Sequence, residues 1–175
     1  MRFASHCRSS WQRTTRPPMR KLVINRVSEK VPPANQNWLD LEPLAQVEIT
    51  SEDADHPIES ALIPGRGSGW RAARPGEQTI RLLFDEPLKL RRIHLLFRED
   101  QHERTQEFAL RWSPNHGQSY REIVRQQYNF SPFAATRETE DYSIDLNGVT
   151  VLELKIFPDI RGGSACGSLA ELFLA

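Results

Sequence analysis

The chain has 175 residues, which is enough for one domain with a substantial core. It contains 23 Lys and Arg against 23 Asp and Glu, so no charge imbalance indicates a nucleic-acid or anionic-membrane partner, and none is expected. No stretch is apolar for long enough to span a bilayer.

The N-terminal residues differ from the rest of the chain in composition. Residues 1–20 are rich in Arg, Ser and Thr, and no acidic residue precedes Glu29. We predict a flexible basic tail over 1–20 and a single, monomeric β-sandwich domain over 21–175. The tail lacks the apolar centre of a secretory signal, so a cytoplasmic location is expected, or a mitochondrial one if the source is eukaryotic.

Strand patterns follow one another along the whole domain. Apolar residues alternate with polar ones in short runs bounded by turn residues, which predicts half-buried strands. The predicted strands are 20–27, 44–51, 78–84, 88–97, 106–112, 119–130, 140–146, 149–157 and 168–175. A turn is predicted at Asp85–Pro87, and a hairpin at Asn147–Gly148. Strands with one apolar face predict an all-β fold with antiparallel sheets.

A glycine-rich loop lies ahead of the third predicted strand. Its sequence, "IPGRGSGWRAARPGE", meets neither the dinucleotide fingerprint nor the Walker pattern, and a strand rather than a helix follows it. We interpret Arg66, Arg71 and Arg74 as solvated loop charges. Trp70 is expected to cover the bottom of the sandwich with its ring.

Three stretches in residues 44–175 resemble one known family. They are "VEITSEDADHPIESALIPGRGSGWRA", "EFALRWSPNHGQSYREIVRQQ", and "LELKIFPD" followed by "SLAELFL". In order and spacing they are similar to the galactose-binding-like, or discoidin, group, which includes coagulation-factor C-type domains and family 32 carbohydrate-binding modules. The resemblance implies an antiparallel jelly-roll β-sandwich.

The same resemblance bears on metal binding. Members of this family often hold calcium with two loop aspartates, a loop threonine and a C-terminal glutamate. In this chain Ile63 and Gly65 stand at the aspartate positions, which leaves Ser68 and Glu171 as the only side-chain oxygen donors. We therefore expect the calcium site to be lost or weakened, and no other cofactor is expected.

The resemblance also implies that ligands bind to loops at one end of the sandwich. A sugar site combines an aromatic ring with polar groups that bond the hydroxyls. The candidate residues from three loops are Arg98, Glu99 and His102; Tyr128, Asn129, Phe130 and Phe133; and Asp159 and Arg161. Alternatively, Arg98 through Arg104 form only a charged hairpin tip, and Phe130 and Phe133 pack their loop onto the sandwich.

Catalysis has little support in the sequence. His56, His94, His102 and His116 are isolated from one another, and no Ser or Cys has the context of a nucleophile elbow. We predict a non-catalytic binding module with carbohydrate as its ligand. The alternative is an intracellular protein-docking module within a larger assembly.

Overall fold

A computed structural model describes residues 37–175, so the predicted strand 20–27 and the predicted tail lie outside the described residues. Eight strands and one short helix are present. They are β1 (Ala45–Ile49), α1 (Glu59–Leu62), β2 (Trp70–Pro75), β3 (Gln78–Arg98), β4 (Arg104–Ser113), β5 (Arg121–Phe130), β6 (Arg137–Phe157), β7 (Cys166–Leu169) and β8 (Glu171–Leu174). Within the described range, no helix has the length and apolar character needed to cross a membrane.

The two longest strands, β3 and β6, pass through both layers of a sandwich. The first half of β3 pairs with β1 and with the end of β6, in a sheet that continues to β4 and β5. The second half of β3 pairs with the first half of β6 and with β8. All pairings are antiparallel, and β2 and β7 form a separate two-stranded sheet. The predicted antiparallel jelly-roll β-sandwich is confirmed.

Two predicted chain reversals are wrong. Asp85–Pro87 and Asn147–Gly148 lie inside β3 and β6, where the register between these strands shifts. Gly148 does have the left-handed backbone that an Asn-Gly hairpin needs, at φ 73°. Here that conformation serves a bulge, because the long partner strand continues the pairing past the irregularity.

A second irregularity in β3 explains its apolar pattern. The amides of Arg91 and Arg92 both donate to the backbone oxygen of Ala175, at 2.6 and 2.8 Å. Two consecutive residues of β3 therefore lie opposite one residue that follows β8. Such a bulge changes which alternate residues point inward. The buried side chains accordingly shift from Ile80, Leu82 and Phe84 to Ile93, Leu95 and Phe97.

Aromatic rings join the two layers in the core. Phe97 of β3 lies 5.2 Å from Phe108 of β4 and 6.0 Å from Tyr128 of β5, measured between ring centroids. Trp70, which was predicted to cover the bottom of the sandwich, is 1% exposed and belongs to the hydrophobic core. Burying an aromatic or large aliphatic side chain contributes roughly 1.5–3 kcal/mol.

The outer face of the larger sheet carries a buried carboxylate. Glu153 is fully buried, and its two oxygens accept hydrogen bonds from Arg81 Nε, at 2.8 Å, and from Arg111. Burial alone would raise the pKa of Glu153, but the two guanidinium groups outweigh it and lower the pKa. This cluster joins β3, β4 and β6.

Candidate ligand-binding groove

A groove of about 540 Å³ opens at one end of the sandwich. Its lining comes from the β3–β4 loop, the β6–β7 loop, the start of β2, and Asp53. Hydrogen bonds between backbone groups hold these segments in place. The amide of Ile160 donates to the carbonyl of Thr105, and the amide of Asp53 donates to the carbonyl of Arg71, both at 2.9 Å. The volume is in the range of small-molecule sites.

A buried arginine organises the groove. Arg104, at the start of β4, is 3% exposed, and its guanidinium lies 5.9 Å from the Phe130 ring. It donates to the backbone oxygen of Cys166 at 2.7 Å and to Ser168 Oγ at 3.3 Å. Burial lowers the pKa of Arg104, and the adjacent Glu99 carboxylate opposes this effect. Arg104 therefore connects the start of β4 to β7 across the groove.

Glu99 is the carboxylate partner of Arg104, and its side chain also accepts hydrogen bonds within the β3–β4 loop. One carboxylate oxygen lies 3.0 Å from Arg104 Nη2, and the other accepts the amides of Gln101 and His102 at 2.9 and 3.1 Å. Its side chain is 9% exposed. Glu99 thus shapes the β3–β4 loop, and its oxygens are already engaged by the protein.

The β6–β7 loop is ordered in a similar way. Asp159 Oδ1 accepts the amide of Arg161 at 3.0 Å and lies 3.4 Å from its Nε. The backbone bond from Arg161 is the main reason that the pKa of Asp159 is lowered. Asp159 lines the groove, whereas the exposed Arg161 side chain lies beyond its lining.

Tyr128 and Phe130 are corrections to the predicted site. Their side chains are 7% and 1% exposed and belong to the hydrophobic core. On β5, residues 124, 126, 128 and 130 face the opposite layer, so both rings pack there and are not presented to a ligand. The interpretation that Phe130 packs the loop onto the sandwich is the correct one.

The remaining candidates divide between the groove and its surroundings. Glu99, His102 and Asp159 line it, whereas Arg98, Asn129 and Phe133 do not. Asn129 Oδ1 accepts a hydrogen bond from Thr105 Oγ1 at 2.8 Å, and Phe133 is 99% exposed. Among the described residues, the lining contains no Phe, Tyr or Trp ring, and its apolar part comes from Ala72, Ala73, Ala165 and Cys166.

Most residues of the groove lining were not among the predicted candidates, and two of them are arginines. Arg71, interpreted as a solvated loop charge, lies in the lining at the start of β2. Arg104 was considered only as part of a charged loop. The signal for Arg104 was present, because it leads the inward alternation that continues through Gln106, Phe108 and Leu110.

The two predicted metal residues have different surroundings: Glu171 is paired with a histidine, and Ser68 lies on an exposed loop. Glu171 Oε2 lies 3.3 Å from His94 Nε2, and Asp141 Oδ1 lies 3.0 Å from His94 Nδ1. Burial would lower the pKa of His94, but the two carboxylates outweigh it and raise the pKa. Ser68 is exposed on its loop. Among residues 37–175, no three His, Cys, Asp or Glu side chains are grouped so as to hold a metal.

The glycine-rich loop has a structural role at Gly69. A Cβ placed on Gly69 would lie 2.6 Å from the carbonyl oxygen of Leu169, and the residue has φ 74°. Both the close approach and the left-handed backbone require glycine. The loop thus brings Trp70 against the junction of β7 and β8.

The strand order and the end-on groove define the class of the domain: it has the galactose-binding-like β-sandwich fold. Similar solved structures include a family 32 carbohydrate-binding module of AlyQ in complex with 4,5-unsaturated mannuronic acid. That structure has a TM-score of 0.58 and 13% identity, over 80% of this chain and 98% of the other.

Two further modules have the same fold. A pectin-binding carbohydrate-binding module has a TM-score of 0.55 and 17% identity, covering 75% of this chain and 89% of its own. The family 32 module of C. perfringens NanJ, in complex with galactose, has a TM-score of 0.53 and 14% identity, covering 74% and 92%. No family model matches the sequence, and no curated protein matches it.

Proposed function

We propose that this protein is a non-catalytic carbohydrate-binding module. Its ligand site is the groove that lies between the β3–β4 loop and the β6–β7 loop. The observation that carries the proposal is the meeting of these two loops in one cavity of about 540 Å³. The solved structures of similar fold include carbohydrate-binding modules, which supports the same ligand class.

The chemistry of the lining suits a polyhydroxylated ligand. Arg71 and Gln101 offer N–H donors, Asp53 and Glu103 offer carboxylate acceptors, and Ser164 offers a hydroxyl. Sugar hydroxyls both donate and accept, so such a mixture of donors and acceptors can satisfy them. Buried Arg104 holds two walls of the groove together, which limits the ordering that ligand binding requires.

Nitrogen-labelled NMR titration of the full chain with a panel of monosaccharides and oligosaccharides tests the proposal. We expect amide shifts at 99–104 and 159–166, and at least tenfold weaker binding in Arg71→Ala. Arg66→Ala, which removes an exposed guanidinium paired with Glu42 at 3.7 Å, is the matched control and should bind normally. No shifts at these loops with any sugar would contradict the proposal.

Exposed apolar side chains favour protein docking as the second candidate function. Phe133 is 99% exposed and Ile160 is 47% exposed, both on loops at the groove end of the sandwich. Exposed apolar residues of this size often serve as interface anchors.

The two candidate functions can be separated with one pair of variants. Docking predicts that Phe133→Ser/Ile160→Ser loses a partner captured from cell extract, while Arg71→Ala retains it. Carbohydrate binding predicts the reverse pattern in the sugar titration. Retention of the captured partner by Phe133→Ser/Ile160→Ser would contradict docking through these side chains.

A further inference from the structure

We propose that the groove selects neutral and amine-bearing sugars over sugars that carry a carboxylate. This inference rests on the proposed carbohydrate-binding function and names the ligand class of the same site. It follows from which charges in the groove are already neutralised by protein partners.

Carboxylates outnumber guanidinium groups in the lining. The four carboxylates are Asp53, Glu99, Glu103 and Asp159, and the two guanidinium groups are Arg71 and Arg104. Two of the carboxylates have arginine partners: Glu99 lies 3.0 Å from Arg104, and Asp159 lies 3.4 Å from Arg161. These two carboxylates are therefore largely compensated.

The other two carboxylates are not compensated. In the part of the chain that the structure describes, no Lys or Arg nitrogen lies within 4.0 Å of Asp53 or Glu103. The nearest basic atom to Asp53 is His56 Nδ1, at 3.9 Å. Asp53 Oδ1 already accepts the amide of Asp55 at 2.9 Å. Asp53 Oδ2 and the Glu103 carboxylate, both in the groove lining, are therefore available to accept hydrogen bonds from a ligand.

Of the two guanidinium groups in the lining that the structure describes, one remains available to an incoming anion. Arg104 is 3% exposed and already bonded to Glu99, Cys166 and Ser168. Arg71 has no carboxylate within 4.0 Å among residues 37–175. A ligand carboxylate would meet this one cation together with two uncompensated carboxylates.

The consequence for a ligand depends on its charge. Hydroxyl and ammonium groups donate hydrogen bonds to Asp53 and Glu103, whereas a uronate carboxylate can only accept. Like charges at close range disfavour binding, and this repulsion discriminates between ligands of the same ring skeleton. We expect a uronate to bind on the order of tenfold more weakly than its neutral parent.

Calorimetric titration of the full chain tests this with two matched sugar series. The probes are galactose, galactosamine and galacturonate, and glucose, glucosamine and glucuronate, as methyl glycosides at low and high salt. In the series that binds, we expect the neutral and amine-bearing members to bind and the uronate to be the weakest. The gap should narrow at high salt, because screening weakens the repulsion.

A pair of variants locates the selectivity. Asp53→Asn/Glu103→Gln should reduce the uronate discrimination to less than about threefold, because the amides keep an oxygen acceptor for a neutral sugar but carry no charge that repels a uronate. Glu122→Gln/Asp145→Asn removes the same two charges at positions remote from the groove along β5 and β6, and should retain the discrimination.

The outcomes separate the two proposals. A uronate that binds as tightly as its neutral parent, or more tightly, would overturn the charge selectivity and leave carbohydrate binding standing. Binding of no member of either series would overturn both. Equal loss of discrimination in the two double variants would show that overall charge, and not Asp53 and Glu103, is responsible.

Discussion

Replacing Arg104 with methionine should destabilise the fold by about 3 kcal/mol, because it leaves a buried carboxylate without its cation. The substitution keeps the aliphatic stem and removes the partner that lies 3.0 Å from Glu99. Breaking a buried ion pair from one side costs roughly 3–5 kcal/mol. The lower end applies here, since the other Glu99 oxygen still accepts the amides of Gln101 and His102.

Urea unfolding of the variants and of the double variant Arg104→Met/Glu99→Gln measures this cost. The double variant should be more stable than the sum of the single changes predicts, by about 1–3 kcal/mol, because the neutral amide does not need a counter-charge. Arg66→Met, at an exposed pair with Glu42, is the control and should change stability by less than about 0.5 kcal/mol. A loss below about 1 kcal/mol for Arg104→Met, together with no coupling to Glu99, would refute the reasoning.

Three further predictions concern stability. Gly69→Ala should lower the free energy of unfolding by at least about 2 kcal/mol, because strain at φ 74° adds to a clash with the backbone at Leu169. Gly65→Ala, at φ 81° with open space around it, is the control and should cost less. Equal costs in chemical unfolding would argue against the clash. The pKa of His94 is raised in the folded protein, so its protonated imidazole adds to the free energy of unfolding below pH about 6.5. This added stability is lost as the pH rises through the folded pKa. His94→Gln should flatten that decline in thermal unfolding, and an unchanged decline would exclude His94 as its source. Glu153→Gln should cost about 2 kcal/mol by removing the charge from hydrogen bonds to two arginines, and a thermal midpoint equal to that of the parent would contradict this.

Part of the groove lining could be predicted because loop chemistry is a local property. The β3–β4 and β6–β7 loops were both expected to bind ligand, and Glu99, His102 and Asp159 do line the groove. The burial of Tyr128 and the inward position of Arg104 were also recoverable, since each follows the alternation of its own strand.

The sequence by itself determined most of the longer strands and their apolar faces, because period-two alternation records which side of a sheet is covered. It did not predict β2, and it predicted one strand over 168–175 where the structure has part of β7 and all of β8. Only the tertiary structure decided that Asp85–Pro87 and Asn147–Gly148 are bulges within β3 and β6 and not chain reversals. It also decided the bonds from Arg104 to Cys166 and Ser168, more than sixty residues away. A local pattern cannot specify such partners, because pairing between distant strands sets the register that brings them together.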